Sequence, residues 1–360
     1  MAYLLTLALL APASAKLYQP TEIPLQGLSN SIRGPHITAN FPDPGLFYQD
    51  GTTYAFATNN RKPRRAHINV QVATSIDNTT WAIEHGLDAL PKTATWQTGG
   101  AVWAPDVKQL PSGQYILYYT DSLVHQPQTH CIGAAVSSHI TGPYEPLHRP
   151  LICPHGGAID PAGFYDSSTN RRYIIYKIDG NSLGHGGSCN NDVMPLISTP
   201  LMLQEVDNED GLSFIGEPVK LLDRDAIDGP LIEAPAMHRT SDGVYFLFYS
   251  ANCYTGPLYH TSYATATDIT GPYTKAGRPL FITGDYDGLT GPGGMDILED
   301  ARGGAYIAFH GIMNIHNDPS RLLTDVRGFD RGMYTGRIRF DGRTATTGVG
   351  FSALEPSREL

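Results

Sequence analysis

The chain has 360 residues, a net charge of −10 and an isoelectric point near 5.7. That balance excludes a general nucleic-acid binder, whose phosphate contacts need a basic face, and no run beyond the N-terminus is long and apolar enough to span a membrane as a helix. Twenty tyrosines, 38 glycines and 27 prolines, with no convincing amphipathic helix, point to many short strands and turns in an all-β domain.

The N-terminus reads as a secretory signal peptide over residues 1–15: Leu4 to Leu10 is an apolar core and Ala13-Ser14-Ala15 fits an A-x-A cleavage site. No Lys or Arg precedes the apolar run, and the alternative is a disordered or trimmed N-terminus. Residues 16–360 then form the mature domain, expected outside the cell.

That domain repeats itself. Asp43–Thr58, Ala104–Thr120, Asp160–Lys177, Glu233–Ser250 and Gly294–His310 each have a small or acidic opening, a short strand, a polar turn and an aromatic-rich strand. Aligned on Tyr54, Tyr115, Tyr173, Tyr245 and Tyr306, they recur every 61, 58, 72 and 61 residues. One sheet per period predicts a five-bladed β-propeller with long connecting loops. Val70–Trp81, Ile132–Tyr144 and Ser262–Tyr273 read as third strands, and Met194–Gln204 stands in for the missing copy in blade three. The last strand, Met333–Phe340, is expected to close the ring against residues near His36.

Four cysteines in an exported chain suggest two disulfides, with three possible connectivities. Cys131 and Cys153 flank one hairpin-sized segment, and Cys189 and Cys253 lie in the loops after the second strands of blades three and four, so these pairings are favoured; the alternative is four buried thiols. Asn78-Thr79-Thr80 is a glycosylation sequon in a polar turn.

In a propeller the first strand of every blade lines the central channel, so residues that open those strands converge at one end. Asp43, Asp160 and Glu233 lie eleven, thirteen and twelve residues before their tyrosines. Asp160 carries a two-residue insertion in its turn, and Glu233 sits one place earlier than the Asp43 position. Ala104 is the equivalent of Asp43 in blade two, which puts Trp103 where Glu233 stands in blade four. Three carboxylates beside an aromatic suit glycoside hydrolysis: one acid protonates the leaving oxygen, a second carboxylate acts on water or the sugar, and a third charge favours the protonated acid. The bland alternative is turn chemistry, since Asp-Pro is a common turn opening.

The segments NFPDPG (Asn40–Gly45), VWAPDV (Val102–Val107), GAIDPAGF (Gly157–Phe164) and LIEAPAM (Leu231–Met237) resemble the signature segments of glycoside hydrolase family 43. The resemblance spans most of residues 36–340 and implies inverting arabinofuranosidases, xylosidases and arabinanases on a five-bladed propeller. It implies Asp43 as general base, Glu233 as general acid, Asp160 as the acid that orients Glu233 and raises its pKa, Trp103 as a pocket aromatic, and Arg331 as a late arginine bonding the sugar. It also brings an expectation of calcium or another ion in the channel near His310, although a lone histidine at a strand end is more often a structural residue and calcium prefers oxygen. No cofactor is required. Fructose-releasing relatives carry an Arg before the second acid and a Glu-Cys at the third; Ile159 and Ala234 stand there instead.

Of the remaining residues, His185 reads as exposed loop or subsite residue, and the basic run Arg61–Arg65 as a solvated loop or a contact for an acidic pectic chain. Gly291–Gly294 reads as a turn, since no helix follows to form a phosphate site. The expected substrate is a plant cell-wall polysaccharide or oligosaccharide, attacked by a monomer. The long Gly180–Pro230 insertion favours a pocket closed at one end and exo-action. The rival readings are an endo-1,5-α-L-arabinanase and a sugar-binding propeller without catalysis.

Overall fold

A computed structural model describes residues 32–61, 67–100, 102–180, 182–286, 288–299, 304–313 and 329–347. The expected signal peptide and the basic residues after Arg61 lie outside them.

A first strand, β1 (Arg33–Ile37), precedes blade one: β2 (Gly45–Gln49), β3 (Thr52–Ala57), β4 (Gln71–Ser75) and β5 (Ala82–Ile83). Blade two is β6 (Trp103–Gln109), β7 (Tyr115–Leu123), β8 (Gln126–Ser137) and β9 (Glu145–Pro146). Blade three is β10 (Ala158–Asp166), β11 (Arg171–Ile178), β12 (Leu201–Val206) and β13 (Phe214–Leu222). Blade four is β14 (Ile232–Arg239), β15 (Tyr245–Ala251), β16 (His260–Ala266) and β17 (Thr274–Lys275). Blade five is β18 (Gly293–Glu299), β19 (Gly304–Ile312) and β20 (Arg331–Asp341), whose outer edge pairs with β1 along one half and with β21 (Thr344–Thr347) along the other. Four sheets run in sequence order; the fifth joins the two ends of the chain and closes the ring.

Closure falls where the sequence places it: Ile37 pairs with Met333, and His36 Nε2 lies 2.9 Å from Thr335 Oγ1. Blade three differs from expectation. Its third strand starts at Leu201, not Met194, because Pro195 and Pro200 have no N–H to give the β11 ladder.

The hydrophobic core is five clusters, one between each pair of neighbouring blades. The aligned tyrosines show why that residue recurs. Each puts its ring into an inter-blade gap, and its hydroxyl can bond a neighbouring blade: Tyr115 to Gln49 Oε1 at 2.6 Å, Tyr245 to Asp166 Oδ2 at 2.6 Å and Tyr306 to the Asn78 carbonyl at 3.0 Å.

Candidate active site

The first strands share one kink. Asp43, Ala104, Asp160, Ala234 and Gly294 all have positive φ, between 47° and 58°, a left-handed conformation that L residues adopt only at a cost. Proline follows in the first four blades, and the ladder slips there in blades two to five. The bulge turns the flanking side chains into the mouth of the channel. Gly294 admits no side chain: a Cβ would sit 2.6 Å from Asp43 Oδ1 and 2.7 Å from His310 Nδ1.

The mouth is a cavity of about 370 Å³ lined by Asp43, Asp160, Glu233, Trp103 and Arg331. Five of the residues singled out in the sequence, drawn from all five blades, therefore meet. His310 is wholly buried behind Asp43 and does not line the cavity; His185 is exposed and lies outside it, its Nδ1 2.7 Å from the Pro195 carbonyl.

Asp43 is the most constrained of the acids. Thr58 Oγ1 donates to its Oδ2 at 2.7 Å, and Arg331 Nη1 lies 3.4 Å and His310 Nδ1 3.1 Å from its Oδ1. Burial pushes the carboxyl up, but Arg331, His310 and Thr58 together outweigh it and hold Asp43 well below the usual carboxylate range. Burial, then Arg331, lowers the His310 pKa.

The expected ion does not fit at His310. Nδ1 faces the Asp43 N–H at 3.2 Å, and Nε2 faces Arg331 Nη1 at 3.4 Å, so a cation there would meet a guanidinium. Among the described residues no group of three or more His, Cys, Asp or Glu side chains is placed to hold a metal.

Asp160 and Glu233 form a buried pair. Burial raises both; repulsion from Glu233 and then Asp43 raises Asp160 further, while Lys177 opposes the rise in each. The Ala234 N–H donates to Asp160 Oδ2 at 3.0 Å, favouring the ionised form of Asp160. Tyr259 donates to Glu233 Oε1 at 2.8 Å and leaves Oε2 open to carry a proton. Burial and the Glu233 charge push the Tyr259 pKa well up, so its hydroxyl keeps its own.

Sequence reasoning missed Tyr259, Lys177 and a pair on the cavity wall, in which His130 Nδ1 lies 2.7 Å from the buried Asp179 carboxylate. The His130 ring stands edge-on to Trp103, centroids 4.8 Å apart. Lys177 left a trace, a lone cation in the apolar run YIIYKI; the others carry no signal in a single sequence. Both favoured disulfides form, Cys131–Cys153 and Cys189–Cys253, and Cys189 reaches the cavity wall.

A five-bladed propeller with three carboxylates and an aromatic at its mouth defines a carbohydrate-active class. Residues 32–339 match the family described as glycosyl hydrolases family 43, and the chain belongs to it. It is 30% identical over 105 residues to the extracellular endo-α-(1→5)-L-arabinanase 2 of Bacillus subtilis, covering 29% of this chain and 22% of that protein. A second such arabinanase, from Thermotoga petrophila, is 28% identical over 158 residues, 37% of this chain and 33% of that one. The matched stretches thus span a third or less of these relatives' length. Among solved structures, a thermostable family-43 glycoside hydrolase superposes with a TM-score of 0.70 at 21% identity, covering 93% of this chain and 98% of that one. An exo-1,5-α-L-arabinanase from a bovine ruminal metagenomic library gives 0.60 at 21%, covering 85% and 96%.

Proposed function

We propose that the chain is an inverting, exo-acting pentosidase that releases α-L-arabinofuranose or β-D-xylose from cell-wall arabinan- or arabinoxylan-type chains. The carrying observation is the convergence of Asp43, Asp160 and Glu233, from three blades, on one cavity. In this reading Asp43, kept ionised by Arg331, takes a proton from a water as its oxygen attacks the anomeric carbon. Glu233 gives its proton to the departing glycosidic oxygen. Asp160 stays ionised beside Glu233 and keeps that proton in place. Trp103 offers a face to the sugar ring, and Arg331, stacked 5.2 Å over Tyr254, donates to a sugar hydroxyl. His310 acts as a positioning residue for Asp43. A non-catalytic sugar-binding propeller fits less well, since it would have no need of three carboxylates arranged with unlike environments.

Exo-action is supported by the Gly180–Pro230 segment, which the Cys189–Cys253 bond draws onto the cavity wall. The endo-arabinanase reading is favoured by the two arabinanases to which parts of the chain are similar. Secretion is supported by the two disulfides and by the extracellular character of those relatives. Products from linear arabinan and from xylo-oligosaccharides, followed side by side, test the reading. Free pentose from the first minutes is expected; an early ladder of oligosaccharides would instead establish endo-action, and no product from either would reject hydrolysis of these linkages. Proton NMR of the first product tests inversion: an α-furanoside should yield β-arabinofuranose.

A further inference from the structure

The kink in each first strand turns one backbone N–H out of its own ladder, and the preceding blade caps it. Thr58 Oγ1 accepts from the Ala104 N–H at 3.0 Å, Thr120 Oγ1 from Asp160 at 3.1 Å, Ser250 Oγ from Gly294 at 2.9 Å and His310 Nδ1 from Asp43 at 3.2 Å. Each cap stands opposite the residue just before its own blade's kink. In blade three that place, opposite Ile159, is Lys177. An ammonium has three donors and no acceptor, so the fifth cap is missing, and Asp160 itself accepts the Ala234 N–H.

Lys177 is only 2% exposed, lines the cavity with Asp160 and Glu233, and among the described residues is held by no hydrogen bond or close ion pair. A buried charge is costly unless something offsets it. The charges around it show what does. Asp43 is matched by Arg331 across the cavity, and Asp179 is engaged with His130. Tyr259 is a neutral donor, and the β12 partner of Lys177 is apolar Leu201. Among the described residues the carboxyls left facing Lys177 are Asp160 on β10 and Glu233 on β14, each drawn toward its ionised form by the lysine, Glu233 also by Arg331, and one cation balances that pair when it holds a single proton.

We propose that Lys177 is a positioning residue that holds the Asp160–Glu233 pair to a single proton: its charge favours ionisation in both, and by leaving the Ala234 N–H to the Asp160 carboxylate it makes Asp160 the ionised member and Glu233 the protonated one. The proposal rests on the hydrolytic reading above. It requires that removing the cation and removing the Asp160 charge have opposite effects on the proton of Glu233.

The test is kcat/KM against pH on an aryl pentoside. Lys177→Met keeps the apolar stem and loses the charge; its alkaline limb should move up by about one pH unit, the scale of one opposite charge nearby. Asp160→Asn should move the limb down, and Lys177→Arg should leave it in place. Lys177→Gln makes the same comparison if the methionine variant does not fold. An alkaline limb that stays put, or moves down, in an active charge-free variant would overturn the proposal and leave Lys177 a packing residue. A wild-type chain inactive on every pentoside, or an undiminished Asp43→Asn, would instead reject the hydrolytic reading itself.

Discussion

Asp43, half-buried, and Glu233, buried, stand at the mouth of one channel, yet their surroundings push them in opposite directions. Asp43 is held low against its burial by Arg331, His310 and Thr58; Glu233 is raised, by burial first. In the proposed reading that divergence suits one to act as base and the other as acid at the same pH. Glu233→Gln should cut hydrolysis of natural linkages by about 10²–10⁴-fold while sparing substrates such as dinitrophenyl glycosides, whose leaving group needs no proton. Asp43→Asn should disable both, and equal damage to both substrates by Glu233→Gln would show that the acid is another residue. Arg331 makes a separate prediction. Removing its charge in Arg331→Met lets the Asp43 pKa rise, and a base that must be ionised then loses activity at a higher pH. The acid limb of kcat/KM should therefore move up; a fall in rate with the acid limb unmoved would confine Arg331 to sugar binding. The three acids were legible because they open repeated strands. Lys177 and Tyr259 were not, because their roles depend on which way a side chain points once neighbouring blades pack.

At the scale of elements, the strand pairs were readable from alternation and from the aligned tyrosines, while connections were not. The third strand of blade three was misplaced because the Gly180–Pro230 segment has no repeat partner, and only its prolines show where pairing cannot begin. In that segment Cys189 is joined to Cys253 across 64 residues. A loop of that length corresponds to about 4 kcal/mol of denatured-state constraint in the chain-entropy account, so Cys189→Ser with Cys253→Ser should lower Tm by several degrees. Because Cys189 also lines the cavity, KM for oligosaccharides should rise more than kcat falls. A variant with lower Tm and unchanged KM would make the bond a stability device only. The Cys131–Cys153 bond encloses 22 residues and provides the control: Cys131 lies outside the cavity lining, so its removal should cost stability with little change in KM.

At the scale of the molecule, the ring has one seam, and the site straddles it. Blade five takes its outer partner from the start of the chain, β1 against β20, and beyond that seam the Phe41 N–H donates to the Arg331 carbonyl at 2.8 Å while Arg331 N donates to Asn40 Oδ1 at 3.2 Å. Asp43 follows two residues after Phe41, so its carboxylate and the guanidinium that keeps it ionised are held together by the closure itself. Ile37 is 4% exposed in the cluster between blades five and one. Ile37→Ala should cost about 2–5 kcal/mol, the usual range for emptying such a site, and should loosen the seam before the other four gaps, which keep their own clusters. The expected signature is hydrogen exchange rising first in β1 and the facing half of β20, with kcat/KM falling although no cavity residue has changed. Ile338→Ala, also buried and on β20, the strand that pairs with β1, but packed toward blade four, is the matched control. If the two variants lose stability alike and the activity falls equally in both, the seam has no special hold on the site.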